Sequence, residues 1–272
     1  MFLHYFLPNP ILFSIGSIDV YWYGLLMLIA ICLGLIVVLR IANFYNINKN
    51  QIFDLVFYLI IFGLIGARLL FVFAHFNYFI KNPLDILKVW EGGLTIYGVI
   101  LFGLVTLIIY AKKTKLSFWL LADIIAPALI LGQALGRWGN YFNQELFGRP
   151  TNLPWGIPIA ILNRPANYEI FEHFHPTFLY ESLGNLVIFV ILIYLHVRVV
   201  NRLMTKKNVQ FGSVFLWYLI LYFLLRSIME FIRIDEVPML FGLRITMIAS
   251  GLILAGGVLA LLIRLKKKLK ER

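Results

Sequence analysis

Val20-Tyr21-Trp22-Tyr23-Gly24-Leu25-Leu26-Met27-Leu28-Ile29-Ala30-Ile31-Cys32-Leu33-Gly34-Leu35-Ile36-Val37-Val38-Leu39 lies between Asp19 and Arg40 and carries no charge. A helix crossing the hydrocarbon layer of a bilayer needs about 20 consecutive, mostly apolar residues. The stretch therefore reads as a membrane span. Six more runs of this kind follow toward the C-terminus: Ile52–Phe73, interrupted by Arg68; Gly93–Tyr110; Leu116–Leu135, with Asp123 and Pro127; Thr177–His196; Phe211–Phe231; and Ile245–Ile263. The expected fold is all-α: a polytopic bundle of about seven transmembrane helices, one transmembrane domain over residues 1–272.

Composition supports this. Hydrophobic residues make up 61% of the chain and charged residues 14%, against about 25% charged in soluble domains. The net charge of +11 does not point to nucleic acid, because no nucleic-acid motif is visible and the basic residues fall in short runs between spans. Those runs include Lys112, Lys113 and Lys115, then Lys206 and Lys207, then Lys266, Lys267 and Lys268. Fifteen of the 24 Lys and Arg fall on one set of connections and seven on the other. By the positive-inside rule the C-terminus is cytoplasmic and the N-terminus outside, which agrees with an odd number of spans. The N-terminus lacks the charged region and cleavage site of a signal peptide, so the first run is expected to be a retained helix. Cys32 is the one cysteine. It excludes an internal disulfide or a cysteine metal cluster and reads as a small buried hydrophobe.

Between the fourth and fifth runs, residues 136–176 form a polar, glycine- and proline-bearing connection on the outer side. A connection of this length is usually functional. Its Trp155 and Tyr168 fit either an interfacial aromatic belt or a substrate-handling role. Charges at membrane depth are functional candidates. In the sixth run Tyr222, Arg226, Glu230 and Arg233 recur at helical spacing and share one face. An Arg–Glu pair so spaced also fits a structural ion pair. Gly136-Arg137-Trp138-Gly139-Asn140-Tyr141-Phe142-Asn143-Gln144-Glu145-Leu146-Phe147-Gly148 combines glycines that permit close approach, a planar arginine fork suited to phosphate, and Asn140 and Glu145 as hydrogen-bonding partners. His175-Pro176-Thr177 opens the fifth run, with Tyr180 and Glu181 in its first turns. His175 also fits a plain interfacial role. Arg68 and Tyr97 are further polar residues at membrane depth. No metal, P-loop or serine-nucleophile pattern appears, and neither a metal nor a cofactor is expected. These residues leave enzyme, transporter and lipid-binding scaffold open, although no internal repeat favours a transporter.

The segment 136–148 resembles the signature of the prolipoprotein diacylglyceryl transferase family. The resemblance extends in order through Tyr-Trp-Tyr-Gly at 21–24, Gly-Ala-Arg at 66–68, Gly-Gly-Leu-Thr-Ile-Tyr-Gly at 92–98, Ala-Asp at 122–123, His-Pro-Thr at 175–177, Tyr-Glu at 180–181 and the stripe Tyr222 to Arg233. It implies a bacterial inner-membrane enzyme without cofactor. Such an enzyme moves the diacylglyceryl group of phosphatidylglycerol onto the lipobox cysteine of a prolipoprotein signal peptide, releasing glycerol phosphate. The partners implied are that lipid, that peptide and the surrounding membrane lipids. On the same resemblance Arg137 binds the headgroup with Arg226, Asn140 and Arg68, and Arg226 is essential. Tyr23, Asn140 and Glu145 support the site, with Glu230, Tyr222, Arg233, Glu181 and Gly148 around them. Some members carry histidine where this chain has Tyr97. Tyrosine, with a reference pKa of about 10, is a poor base near neutrality, which leaves His175 or Glu145 as the base, or no base at all.

Overall fold

A computed structural model describes residues 2–16, 18–205 and 209–270, and for residues 2, 18, 265 and 267–270 the backbone alone. Lys206 and Lys207, and the side chains of Lys267 and Lys268, lie outside what it describes. Eight α-helices and three short hairpins are present among the described residues. The helices are α1 (Trp22–Phe44), α2 (Lys49–Ala74), α3 (Phe76–Lys81), α4 (Ile96–Thr114), α5 (Phe118–Phe142), α6 (Thr177–Met204), α7 (Ser213–Glu230) and α8 (Ile245–Lys270). All except the six-residue α3 are long and apolar enough to cross a membrane, which gives the expected seven spans. They expose Leu28, Phe57, Ile100, Val190, Leu252 and Leu259, side chains suited to lipid contact.

The hairpins are what the helical reading omitted. β1 (Ile11–Ile15) pairs with β2 (Ile18–Tyr21), β3 (Ile157–Pro158) with β4 (His173–Phe174), and β5 (Met239–Leu240) with β6 (Leu243–Arg244). Val20 and Tyr21, apolar enough to extend the first span, belong to β2; their backbone pairs with β1 instead. The β5–β6 turn has Phe241 at φ 51° and Gly242 at φ 76°, the doubly left-handed geometry that tight hairpins favour.

The chain forms two compact units, Val38–Ile124 and Met1–Val37 with Ile125–Arg272. In the first, α2 packs on α4 through small residues. A Cβ at Gly98 would strike the Gly66 backbone, and one at Gly66 would strike the Phe102 ring. Such close approach is how helices associate where lipid removes the hydrophobic driving force. Local caps set the ends: the Asn48 side chain accepts from Asn50 N, and Thr95 Oγ1 accepts from Gly98 N at 3.3 Å.

In the second unit, α6 packs on α7 and α7 on α8. Among the spans α5 is the most enclosed and α8 the most exposed. The connection after α5 has its own apolar core of Tyr141, Phe147, Ile157, Ile159, Phe174 and Phe178, against which Leu3, Trp138 and Tyr168 pack. Tyr168 packs against this layer. Trp155 is half exposed, and its indole N–H donates to Tyr180 Oη at 2.8 Å. The N-terminal segment is pinned to the same layer: Gln144 Nε2 donates to Pro8 O at 2.7 Å, and the His4 and His173 rings stack 4.1 Å apart.

Candidate active site

α5 continues to Phe142, so Gly136 to Phe142 is helix where the sequence reading began a polar loop. The backbone bonds of one more turn outweigh three weak helix formers. Consequently Arg137 and Asn140 project from one helical face, three residues apart, and Arg137 Nη1 donates to Asn140 Oδ1 at 3.3 Å. Asn140 Nδ2 in turn donates to Glu145 Oε1 at 2.7 Å, which also accepts from Asn143 Nδ2 at 3.3 Å. Glu145 is therefore held just beyond the helix end by two neutral amides.

The centre of the arrangement is Glu181 in the second turn of α6, with 2% of its surface exposed. Its Oε2 lies 2.6 Å from Arg137 Nη2, and its Oε1 lies 3.3 Å from Arg233 Nη1 and 3.9 Å from Arg226 Nη1. Three guanidinium groups from three parts of the chain thus meet one buried carboxylate. Glu230 forms the expected i,i+4 ion pair with Arg226, and its other oxygen is 2.8 Å from Arg244 Nε. Asp235 completes the group, 2.7 Å from Arg233 Nε and 3.0 Å from Arg244 Nη2. Burial alone would raise the Asp235 carboxyl, but the hydrogen bond from Arg233 and the charges of Arg233 and Arg244 hold it below its ordinary value.

Among the directly ion-paired groups, four arginines (137, 226, 233 and 244) face three carboxylates (181, 230 and 235), with Glu145 reaching Arg137 only through Asn140. Arg226 Nη1 is buried without a hydrogen-bond partner. Such a donor suits an anion.

Two of the three glycines in this segment admit protein side chains. A Cβ at Gly139 would overlap the Tyr23 ring, and one at Gly148 would press on His175, Ile232 and Thr177. Gly148 sits where three strand-like segments converge: its N donates to His175 O at 3.0 Å, Arg149 N donates to Ile232 O at 2.9 Å, and it bridges Arg233. His175 Nδ1 is 3.1 Å from Tyr180 Oη, and burial holds the imidazole below its ordinary pKa. Tyr222 stacks on Tyr218, with centroids 5.9 Å apart.

Two expected site residues belong to the other unit. Arg68 is buried, and its guanidinium donates to the carbonyls of Asp85, Ile86, Lys88, Gly92 and Gly93. It thereby organises the 85–93 connection. Tyr97, in the first turn of α4, is 69% exposed. Arg244 and Asp235 were missed as members of the ion network. Arg244 reads in sequence as an ordinary loop cation before an apolar run, although Asp235 two residues after Arg233 was a usable signal.

The prolipoprotein diacylglyceryl transferase family matches residues 10–263. The chain is 42% identical over 243 residues to the phosphatidylglycerol–prolipoprotein diacylglyceryl transferase of Trichormus variabilis, covering 89% of this chain and 85% of that protein. It is 42% identical over 254 residues to the enzyme so named from Synechococcus elongatus, covering 93% and 86%. With the one from Acaryochloris marina it shares 41% identity over 266 residues, covering 97% and 94%.

Proposed function

The chain belongs to the prolipoprotein diacylglyceryl transferase family, and we propose that it transfers the diacylglyceryl group of phosphatidylglycerol to a prolipoprotein at the arginine–carboxylate cluster. The observation that carries this placement is the convergence of Arg137, Arg226 and Arg233 on the single buried carboxylate of Glu181. A phosphodiester is a monoanion, and planar arginine forks match its oxygens. Arg137 and Arg226 bind the headgroup, with Arg226 Nη1, which meets Glu181 at 3.9 Å without a hydrogen bond, a donor for it. Asn140 orients Arg137, and Glu145 fixes Asn140. Arg233 and Arg244 keep Glu181 and Glu230 from neutralising the binding pair completely.

In the reaction the lipobox cysteine sulfur attacks the glyceryl carbon that bears the phosphate. A carbon–sulfur bond forms while the carbon–oxygen bond breaks, and the electron pair departs with the phosphate oxygen as glycerol phosphate. The thiol loses its proton first. A free thiol titrates near 8.5, and neighbouring cations favour the thiolate. His175, kept neutral by burial, or Glu145 accepts that proton. Negative charge grows on the leaving phosphate in a low-dielectric site, where fixed donors act most strongly. Both substrates are membrane-bound, which fits a site carried on three spans. On this reading the protein lies in the bacterial cytoplasmic membrane, and the positive-inside rule puts its N-terminus and residues 143–176 outside.

The test mixes purified protein, phosphatidylglycerol and a lipobox peptide and reads the peptide mass. A diacylglyceryl gain on the cysteine, lost in Arg137→Ala, is the expected result. No gain with folded wild type, beside an active relative, would overturn the assignment.

A further inference from the structure

One to two helical turns from the arginine cluster, the same three spans carry further polar residues. On α5, Gln133 lies four residues before Arg137; on α6, Asn185 lies four residues after Glu181; on α7, Tyr222 and Tyr218 lie four and eight residues before Arg226. Residues four apart share a helix face, about 6 Å apart along the axis. The helices that carry these residues are joined to one another: Gln133 Nε2 of α5 donates to Tyr218 Oη of α7 at 3.0 Å, and α6 packs on α7 with Gly184 against the Leu225 side chain. The 143–176 connection joins the end of α5 to the start of α6. Arg137 and Glu181 therefore lie below that end, with Gln133 and Asn185 deeper.

The two amides are not satisfied internally. Asn185 has 0% of its surface exposed, and neither its Oδ1 nor its Nδ2 has a hydrogen-bond partner. Gln133 Oε1 is likewise buried and unpartnered. Within a bilayer no water reaches such groups, and each costs free energy until it finds a partner. Polar residues at membrane depth are functional candidates for that reason. Their chemistry differs from that of the cluster above: the arginines carry charge, whereas carboxamides offer neutral N–H donors suited to an uncharged acceptor.

We infer that Asn185, with Gln133 beside Tyr218, forms a subsite for the ester carbonyls of the diacylglyceryl group. The inference rests on the transferase reading and deepens it. When the phosphate sits among Arg137 and Arg226 with the acyl chains directed into the bilayer, the ester groups hang from the neighbouring glyceryl carbons on the acyl side. That places them at the level one turn deeper. Asn185 Nδ2 donates to a carbonyl there, and the glyceryl unit is held at both ends, by its charge and by its esters. Holding both ends fixes the carbon under attack, and alignment of reacting atoms is itself a source of rate.

The experiment compares two phosphatidylglycerols with the same headgroup, one with ester-linked and one with ether-linked chains, in the peptide-transfer assay. Ether lipids keep the phosphate and lack the carbonyls. Wild type is expected to prefer the diester in kcat/KM by roughly tenfold, the effect of leaving a buried donor unpaired. Asn185→Leu is close in volume and removes the unpartnered amide. It should unfold at the same or a higher temperature while its preference collapses toward unity through loss on the diester. Equal use of both lipids by wild type would overturn the subsite. So would a variant that keeps the preference, or one whose defect lies only in the peptide KM, which would assign the amide to the peptide. Transfer from neither lipid by folded wild type would instead defeat the transferase reading beneath it.

Discussion

At the residue scale Glu181 is the group on which the site depends. Its carboxylate is 2.6 Å from Arg137 and 3.3 Å from Arg233, with Arg226 at 3.9 Å. Glu181→Gln leaves these cations without their common counter-ion, and breaking a buried pair costs about 3–5 kcal/mol. A clear fall in melting temperature, together with weakened transfer, is the expected result in detergent or lipid. Arg137→Ala should lower turnover by about 10² or more, and Arg137→Lys should recover little, because an ammonium cannot replace the fork bonded to both Asn140 and Glu181. His175 makes a pH prediction. Its pKa is lowered by burial, so the folded state favours the neutral ring. Its contribution to stability is present above the unfolded pKa of about 6.5 and is lost as pH falls through the lower folded value. The melting temperature of wild type should drop on acidification from about pH 6.5 more than that of His175→Asn; parallel curves would refute it. The aligned residues on α7 made the Arg226–Glu230 pair legible in sequence. The pairing of Glu181 with three arginines was not, because its partners are 44 to 52 positions distant.

At the scale of elements, apolar length located the spans and small residues located their closest approach. Gly98 of α4 faces the backbone of Gly66 and Ala67 in α2, whereas Gly66 faces the Phe102 side chain. A backbone cannot turn aside and a ring can. Gly98→Ala is therefore expected to destabilise by about 1–3 kcal/mol and Gly66→Ala by less, measured as a difference in thermal unfolding; equal losses would remove this account of the α2–α4 contact. The elements least legible in sequence are those where local preference was overruled. α5 runs through Gly136 and Gly139, and residue 139 must be glycine because the Tyr23 ring lies against it. Val20 and Tyr21 are strand because the backbone of residues 11–15 is available to pair with them. In both cases the deciding neighbour lies elsewhere in the chain or beyond the apolar pattern.

At the scale of the whole molecule, the excess of Lys and Arg on one set of connections predicts a cytoplasmic C-terminus. A C-terminal fluorescent-protein fusion should therefore fluoresce and an alkaline phosphatase fusion should stay inactive; the reverse pair of results would invert the topology. The seven-span helical bundle was determined by the sequence alone, because any apolar run of span length must satisfy its own backbone hydrogen bonds once water is absent. Composition and spacing likewise nominated Arg137, Arg226, Glu181 and Glu230, since charges at membrane depth are too costly to be incidental. Only the tertiary structure decided which charges neutralise which, brought Arg244 and Asp235 into the network, turned Arg68 toward the carbonyls of residues 85–93, and left Asn185 without a partner. The physical reason is range. Hydropathy and helical periodicity act over a few turns of one segment, whereas a side chain's electrostatic and hydrogen-bonding partners are set by which helices pack together and at what register.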